Sequence, residues 1–190
     1  MMLQLLKIRT QKYGPVNAKY ANTLYTLCIV NAKREDYTKA LHYGKRCLEI
    51  RDSIFTKRSG EYTSTLYQVS KLYDASGQME LAIASHRENL GLLKDIGKTN
   101  VYSYPATMVE LATIYRVLGQ YQKAEVLYLE ANKIYKSDPA LQKHLTYGYC
   151  LYLSGVYYKE LGNFDKALEY LHDWQCLYAP GQLRLRKKSL

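Results

Sequence analysis

Residues 119–135 read GQYQKAEVLYLEANKIY, and a related order of residues, with an aromatic or large apolar residue three positions before a small one, recurs along the chain. Related stretches occupy residues 35–51, 77–93 and 162–178. The four stretches align on one alanine each: Ala40, Ala82, Ala124 and Ala167. The spacings of 42, 42 and 43 residues indicate an internal repeat, which is typical of arrays built from one structural unit.

A second amphipathic stretch precedes each of these four. Twenty residues before each aligned alanine stands a tyrosine: Tyr20, Tyr62, Tyr104 and Tyr147. In the second repeat, Leu66, Val69 and Tyr73 recur at the spacing of one helix face. Each repeat is therefore predicted to be a pair of amphipathic helices, here called the first and the second helix.

A tight turn is predicted between the two helices of each pair. Gly77, Gly119 and Gly162 stand where the first helix ends, and glycine readily takes the left-handed conformation that terminates helices. Glu35 holds this place in the first repeat, so the sequence predicts a turn of a different kind there.

The repeat predicts about nine helices and no β-sheet, with boundaries good to about three residues. The predicted helices span residues 2–12, 17–33, 36–54, 61–75, 78–96, 103–117, 120–136, 141–160 and 163–178.

The repeat resembles the tetratricopeptide family over nearly the whole chain. The residues of the third repeat that match the family's positions are Leu111, Ala112, Tyr115, Gly119, Tyr121, Ala124, Tyr128 and Ala131. The period is longer than the family's usual ~34 residues, and it is similar to the repeats of kinesin light chains and of bacterial arrays attached to caspase-like peptidase domains. The resemblance implies an all-α fold, a right-handed α-solenoid of antiparallel helix pairs, and a role as a protein-binding scaffold, which could be the regulatory part of a larger assembly.

The repeat also predicts the domain organisation. We expect one domain over residues 1–180 and a basic tail over 181–190. Within the domain, residues 1–14 align with the second helix of a pair, and the full repeats span about 17–58, 59–100, 101–140 and 141–179. Repeat arrays normally have capped ends, so the uncapped start predicts either a fragment of a longer protein or self-association through this end.

The net charge of +10 is concentrated at the two ends of the chain. Residues 1–60 hold 12 Lys and Arg against 4 Asp and Glu, a net charge of +8, whereas residues 61–139 carry −1 and residues 140–190 carry +3. Such an excess attracts acidic proteins or nucleic acid. A nucleic-acid-binding helical-repeat protein that uses the basic amino-terminal third is therefore the alternative function, and an ordinary solvated surface is the simpler interpretation.

No motif predicts catalysis, a metal site or a cofactor. The widely spaced Cys28, Cys47, Cys150 and Cys176 form no CxxC pair, which favours free thiols in a reducing compartment such as the cytoplasm. The four histidines stand at unrelated repeat positions, which indicates packing or surface roles. No apolar run reaches the ~18 residues that a membrane-spanning helix needs, so we expect a non-enzymatic protein that does not enter the membrane.

The resemblance places a ligand in a concave groove lined by the first helices. Helical spacing puts Tyr25, Tyr67, Val109 and Tyr152 at equivalent outward positions, with cations further along the same helices. The residues predicted to bind a partner are Tyr25, Tyr67, Lys71, Arg116, Tyr152 and Lys159. Tyrosines interleaved with cations suit an acidic protein or peptide, although each tyrosine could instead pack only on the next repeat. The Lys/Asn clamp of chaperone-binding members is absent, since Tyr25 and Ile29 stand at its positions.

Overall fold

The computed structural model describes Gln4, Ile8, Gly14 and residues 16–178, and these residues contain nine complete helices and no strand. The helices are α1 (Ala18–Lys33), α2 (Tyr37–Phe55), α3 (Gly60–Ala75), α4 (Met79–Asp95), α5 (Ser103–Val117), α6 (Tyr121–Ser137), α7 (Pro139–Gln142), α8 (Leu145–Glu160) and α9 (Phe164–Tyr178). The all-α helical-repeat solenoid predicted from the sequence is confirmed. The predicted helix 2–12 and the tail 181–190 lie outside the described residues, apart from Gln4 and Ile8, which are helical.

Helix bounds agree with the predicted ones to within one residue, with one exception. The segment predicted as a single helix over 141–160 begins inside the one-turn helix α7 and continues, after a break at residues 143–144, into α8. Asp138 caps α7, where its carboxylate accepts from the Ala140 backbone nitrogen at 2.7 Å. His144 caps α8, where its Nδ1 accepts from the Thr146 backbone nitrogen at 3.3 Å. Two capping side chains six residues apart therefore start two helices instead of one.

The turn after α1 corrects a prediction, because Glu35 makes the same turn as the glycines. Glu35 has a φ of 60°, close to the 76° of Gly77 at the equivalent place. Its backbone nitrogen donates to the Ala32 carbonyl, and the Asp36 nitrogen donates to the Asn31 carbonyl, both at 3.0 Å. The same pair of bonds closes the turn at Gly77, so the hydrogen bonds that satisfy the last carbonyls of α1 outweigh the steric cost of a left-handed glutamate.

The first compact unit covers residues 1–99 and contains α1–α4, which form two antiparallel pairs. Ala40 and Ala82 are fully buried, as their alignment predicts. Gly44 on α2 lies close to both neighbouring helices, because an added Cβ would lie 2.7 Å from Cγ2 of Val69 on α3 and 3.2 Å from Sγ of Cys28 on α1. The missing side chain at this position therefore lets α1 and α3 both pack closely against α2.

The second compact unit covers residues 100–190 and contains α5–α9, with α5/α6 and α8/α9 as its pairs. Three fully buried tyrosines fill its interior, and each hydroxyl has a partner. Tyr128 contacts Thr113 Oγ1 at 3.0 Å, Tyr135 donates to Thr146 Oγ1 at 2.8 Å, and Tyr157 donates to a backbone carbonyl at 3.0 Å. Tyrosine is thus used here as a core residue whose polar end is satisfied.

The boundary between the two units falls between the predicted second and third repeats. Each predicted full repeat contains one helix pair, and α7 is an addition at the boundary between the third and the fourth. The expectation of a single domain over residues 1–180 stays a prediction, as does the half repeat over residues 1–14.

Candidate partner-binding surfaces

In the first unit, the predicted binding residues lie on the first helices α1 and α3. Tyr25 on α1 and Tyr67 on α3 are half-buried, and Lys71 on α3 is exposed. The Lys71 ammonium lies 5.5 Å from the centroid of the Tyr67 ring, which is within the range of a cation–π contact. An aromatic face and a cation are thus adjacent on the surface of α3. We call Tyr25, Tyr67 and Lys71 the first-helix strip.

A buried arginine lies directly behind Tyr25. Arg51, near the end of α2, is only 5% exposed, and its guanidinium carbon lies 4.9 Å from the centroid of the Tyr25 ring. Nη1 donates to the Glu61 backbone carbonyl at 2.6 Å and to Thr65 Oγ1 at 2.5 Å. Nη2 donates to Asn22 Oδ1 at 2.9 Å. The guanidinium therefore ties α2 to both first helices of the unit through neutral oxygens.

A buried histidine lies behind Tyr67. His86 on α4 is fully buried, and its ring contacts the Tyr67 ring edge-on with 6.3 Å between the centroids. Neither ring nitrogen has a hydrogen-bond partner among the described residues. Burial, helped by the charge of Lys71, lowers the pKa of His86 from 6.5 to about 4, so the imidazole is neutral near pH 7.

In the second unit, two of the three predicted residues have partners within the protein. The Arg116 guanidinium on α5 is paired with the Glu160 carboxylate on α8. Tyr152 on α8 is 43% exposed, and its ring centroid lies 5.6 Å from that of Trp174 on α9. Lys159 is exposed near the end of α8. Arg116 was predicted as a cation offered to a ligand, but its charge is already compensated within the protein.

Val109, which the helical spacing placed in the groove, is buried. It is 1% exposed, and every residue from Tyr104 to Ala112 on α5 is buried. A helix that is covered on nearly its whole circumference has no outward stripe, so spacing alone misplaced this residue.

Sequence reasoning missed the roles of Arg51 and His86, although the repeat contained a signal. The residues at the position of Arg51 in the next two repeats are Leu93 and Tyr135, both buried. His86 stands at the position of Tyr128, also buried. The signal is a charged or titratable residue at a position where the other repeats have a buried, uncharged one. Such a residue is costly to bury, so it points to a structural or functional role.

The described residues form no metal-binding cluster, and three of their cysteine thiols are buried. No group of three or more His, Cys, Asp or Glu residues in it is arranged to hold a metal ion. Cys28, Cys47 and Cys150 are buried free thiols, and Cys176 is an exposed one. Burial raises the pKa of Cys28 and of Cys150 to about 12, so both stay protonated and unreactive. No helix in the described residues is long and apolar enough to cross a membrane.

Comparison with known proteins identifies the repeat. Residues 149–172 match the model of the tetratricopeptide repeat. No curated protein sequence matches the chain.

Three solved structures share the fold. One is a protein of Podosopora anserina that is assigned as a kinesin light chain and has nearly identical TPR-like repeats. It has a TM-score of 0.76 and 16% sequence identity, and the alignment covers 95% of this chain and 85% of that chain. The second is the apo form of RapI: TM-score 0.79, 16% identity, 95% of this chain and 64% of that chain. The third is a Rap protein in complex with Competence and Sporulation Factor: TM-score 0.71, 15% identity, 91% of this chain and 49% of that chain.

At these identities the structural likeness shows the fold, and the match at residues 149–172 shows the repeat. The comparisons therefore show a fold of the tetratricopeptide-like kind and a match to the repeat model over residues 149–172.

Proposed function

We propose that this chain is a non-catalytic binding module that takes a protein or peptide partner on the outward faces of its first helices. The observation that carries the proposal is the pairing of the Tyr67 ring with the Lys71 ammonium on α3. A half-buried tyrosine offers apolar area with few rotors to immobilise, and the adjacent cation favours a partner with carboxylates. Tyr25 supplies the equivalent ring on α1.

The Rap protein that shares this fold was crystallised in complex with Competence and Sporulation Factor. That structure supports a binding role for a fold of this kind. The partner of this chain is defined here only by its chemistry, which is a protein surface or peptide with apolar and acidic side chains.

The pairing of the basic residues supports a protein partner over nucleic acid. Several cations of the amino-terminal third form ion pairs within the chain: Lys39 with Asp36, Arg46 with Glu49, Lys57 with Glu88, and Arg58 with Asp95. Binding to nucleic acid depends on cations that neutralise phosphates, and these four are already engaged. A salt titration tests the choice, because affinity governed by phosphates falls steeply with salt and a groove contact falls modestly.

The test of the proposal uses a partner captured by the full chain from its own cells and then purified. Tyr67→Ala combined with Lys71→Ala should weaken its affinity at least about tenfold, which corresponds to ~1.4 kcal/mol. Tyr121→Ala with Lys123→Ala is the matched control, since it removes one exposed tyrosine and one exposed lysine from the second helix α6. The proposal is wrong if the control pair weakens binding and the α3 pair does not.

A further inference from the structure

The Arg51 guanidinium is a buried charge, and no side chain among the described residues serves as its counter-ion. Its hydrogen-bond acceptors are a backbone carbonyl, a hydroxyl and an amide oxygen, all neutral. No Asp or Glu within the described residues forms an ion pair with it. Residues 1–15 and 179–190 contain no Asp or Glu at all. This arginine therefore lacks the ion-pair partner that buried arginines normally have. Burying a charge that no opposite charge compensates is costly.

The fold does not need an arginine at this position. Leu93 and Tyr135 occupy the same place in the next two repeats and are buried there. Arg51 is therefore a departure from the apolar packing that the repeat uses elsewhere, and Nε is a further buried donor without a partner.

One of the residues that accept a hydrogen bond from the guanidinium is exposed at the surface. Asn22, whose amide oxygen accepts from Nη2, is exposed on α1, whereas Thr65 and the Arg51 side chain itself are buried. The Tyr25 ring covers the face of the guanidinium and belongs to the first-helix strip. A ligand lying along α1 thus meets the Arg51 site beside Tyr25, where a carboxylate can take the place of the Asn22 amide.

We propose that Asn22, Tyr25, Arg51 and Thr65 form a recognition site for the carboxylate of an acidic side chain of the partner. This inference rests on the proposed function, and it names the chemistry that the first unit recognises. A carboxylate at Nη2 supplies the missing counter-ion, and it replaces a hydrogen bond from the cation to a neutral amide oxygen with one between two opposite charges. The Tyr25 ring orients the guanidinium and shields the pair from solvent.

The probe that tests the site directly is acetate. The full chain is titrated with sodium acetate, with chloride as the matched salt, while the Arg51 Nε–Hε signal is followed by NMR and assigned by its loss in Arg51→Lys. We expect a saturable shift with acetate and none with chloride. Asn22→Asp places a carboxylate of the protein itself at Nη2 and should weaken the acetate response at least tenfold.

Ser64→Asp is the matched control for the added charge. Ser64 stands at the repeat position of Asn22 and is likewise the fifth residue of its helix, but Leu93 replaces the arginine there. This variant should respond to acetate like the wild type. An acetate response that equals that of chloride, or one that Asn22→Asp leaves unchanged, overturns the proposal.

Two short peptides distinguish a side-chain carboxylate from the carboxylate at the end of a chain. Acetyl-pentaglutamate amide carries only side-chain carboxylates, whereas acetyl-pentaglutamine with a free carboxyl end carries only a terminal one. We expect the first to bind at least tenfold more tightly than the second, and the reverse order overturns the assignment to an acidic side chain. If acetate fails while Tyr67→Ala with Lys71→Ala still weakens the purified partner, only the Arg51 site is wrong; the opposite pattern retains the site and rejects the Tyr67–Lys71 surface.

Discussion

Replacing His86 by leucine should remove a large part of the pH dependence of the free energy of unfolding. His86 is fully buried against the Tyr67 ring, with Lys71 as the nearby cation, and burial is the larger cause that lowers its pKa to about 4. The unfolded chain exposes the same imidazole to water, where its pKa is 6.5. Folding therefore excludes a proton that the unfolded state binds.

The sign and size of the effect follow from these two values. Above pH 6.5 the imidazole is neutral in both states, and His86 adds no pH dependence. As the pH falls from 6.5 to 4, only the unfolded state gains the proton, so the free energy of unfolding decreases; below about pH 4 both states bind it and the decrease stops. Each pKa unit corresponds to ~1.4 kcal/mol, so the total loss is about 3 kcal/mol.

Urea unfolding followed by circular dichroism at pH 7, 6, 5 and 4 measures this loss. Leucine fits the position, since Leu171 holds it in the fourth repeat. His86→Leu should lose about 3 kcal/mol less than the wild type between pH 7 and pH 4, while the exposed control His42→Gln should follow the wild type. Subtracting the free energies of unfolding of two variants at each pH cancels the contribution of the carboxylates that titrate in the same range. Parallel curves for wild type and His86→Leu would refute the reasoning.

Three further substitutions test the packing and the charges by urea unfolding at pH 7. Glu35→Gly should raise the free energy of unfolding by about 1 kcal/mol, because it relieves a left-handed non-glycine residue, and a decrease would contradict the turn described here. Gly44→Ala should lower it by about 1–3 kcal/mol, since the added Cβ would lie 2.7 Å from a methyl group of the buried Val69; a neutral result would mean that α2 and α3 are less closely packed. Asn22→Asp should raise it by about 1–2 kcal/mol by giving Arg51 a counter-ion, and an equal gain in Ser64→Asp relative to Ser64→Asn would attribute the effect to helix position instead.

The helices were predictable because their signals are local and repeated four times. Aligned alanines, turn glycines and apolar spacing act within a few residues of one another, and the repeat averages out a single departure such as Glu35. The sequence could not reveal that Glu35 adopts the left-handed conformation, because the cost of ~1–2 kcal/mol is smaller than the gain from closing the helix end.

The environment of the candidate site was less predictable because it depends on partners distant in the sequence. Arg116 pairs with Glu160, which is 44 residues away in the sequence, and Arg51 donates to Asn22, which is 29 residues away. Helical spacing identified Tyr67 and Lys71 as neighbours, since one turn of α3 separates them. It could not indicate that one arginine has a carboxylate and the other only neutral oxygens.

Replacing Arg51 by leucine separates the cost of the buried charge from its use. Thr65 Oγ1 donates to the Glu61 carbonyl at 2.9 Å, so both acceptors of Nη1 keep a partner after the change, and the exposed Asn22 turns to water. Exchanging a buried charge for an apolar side chain is often neutral or stabilising by ~1–4 kcal/mol, and Leu93 shows that the repeat accommodates leucine here. Arg51→Leu should therefore unfold in urea at an equal or higher concentration than the wild type and lose its response to acetate and to acetyl-pentaglutamate amide. A loss of more than about 2 kcal/mol would instead make Arg51 a structural tie between α2 and the first helices, and the acidic-partner site would lose its main support.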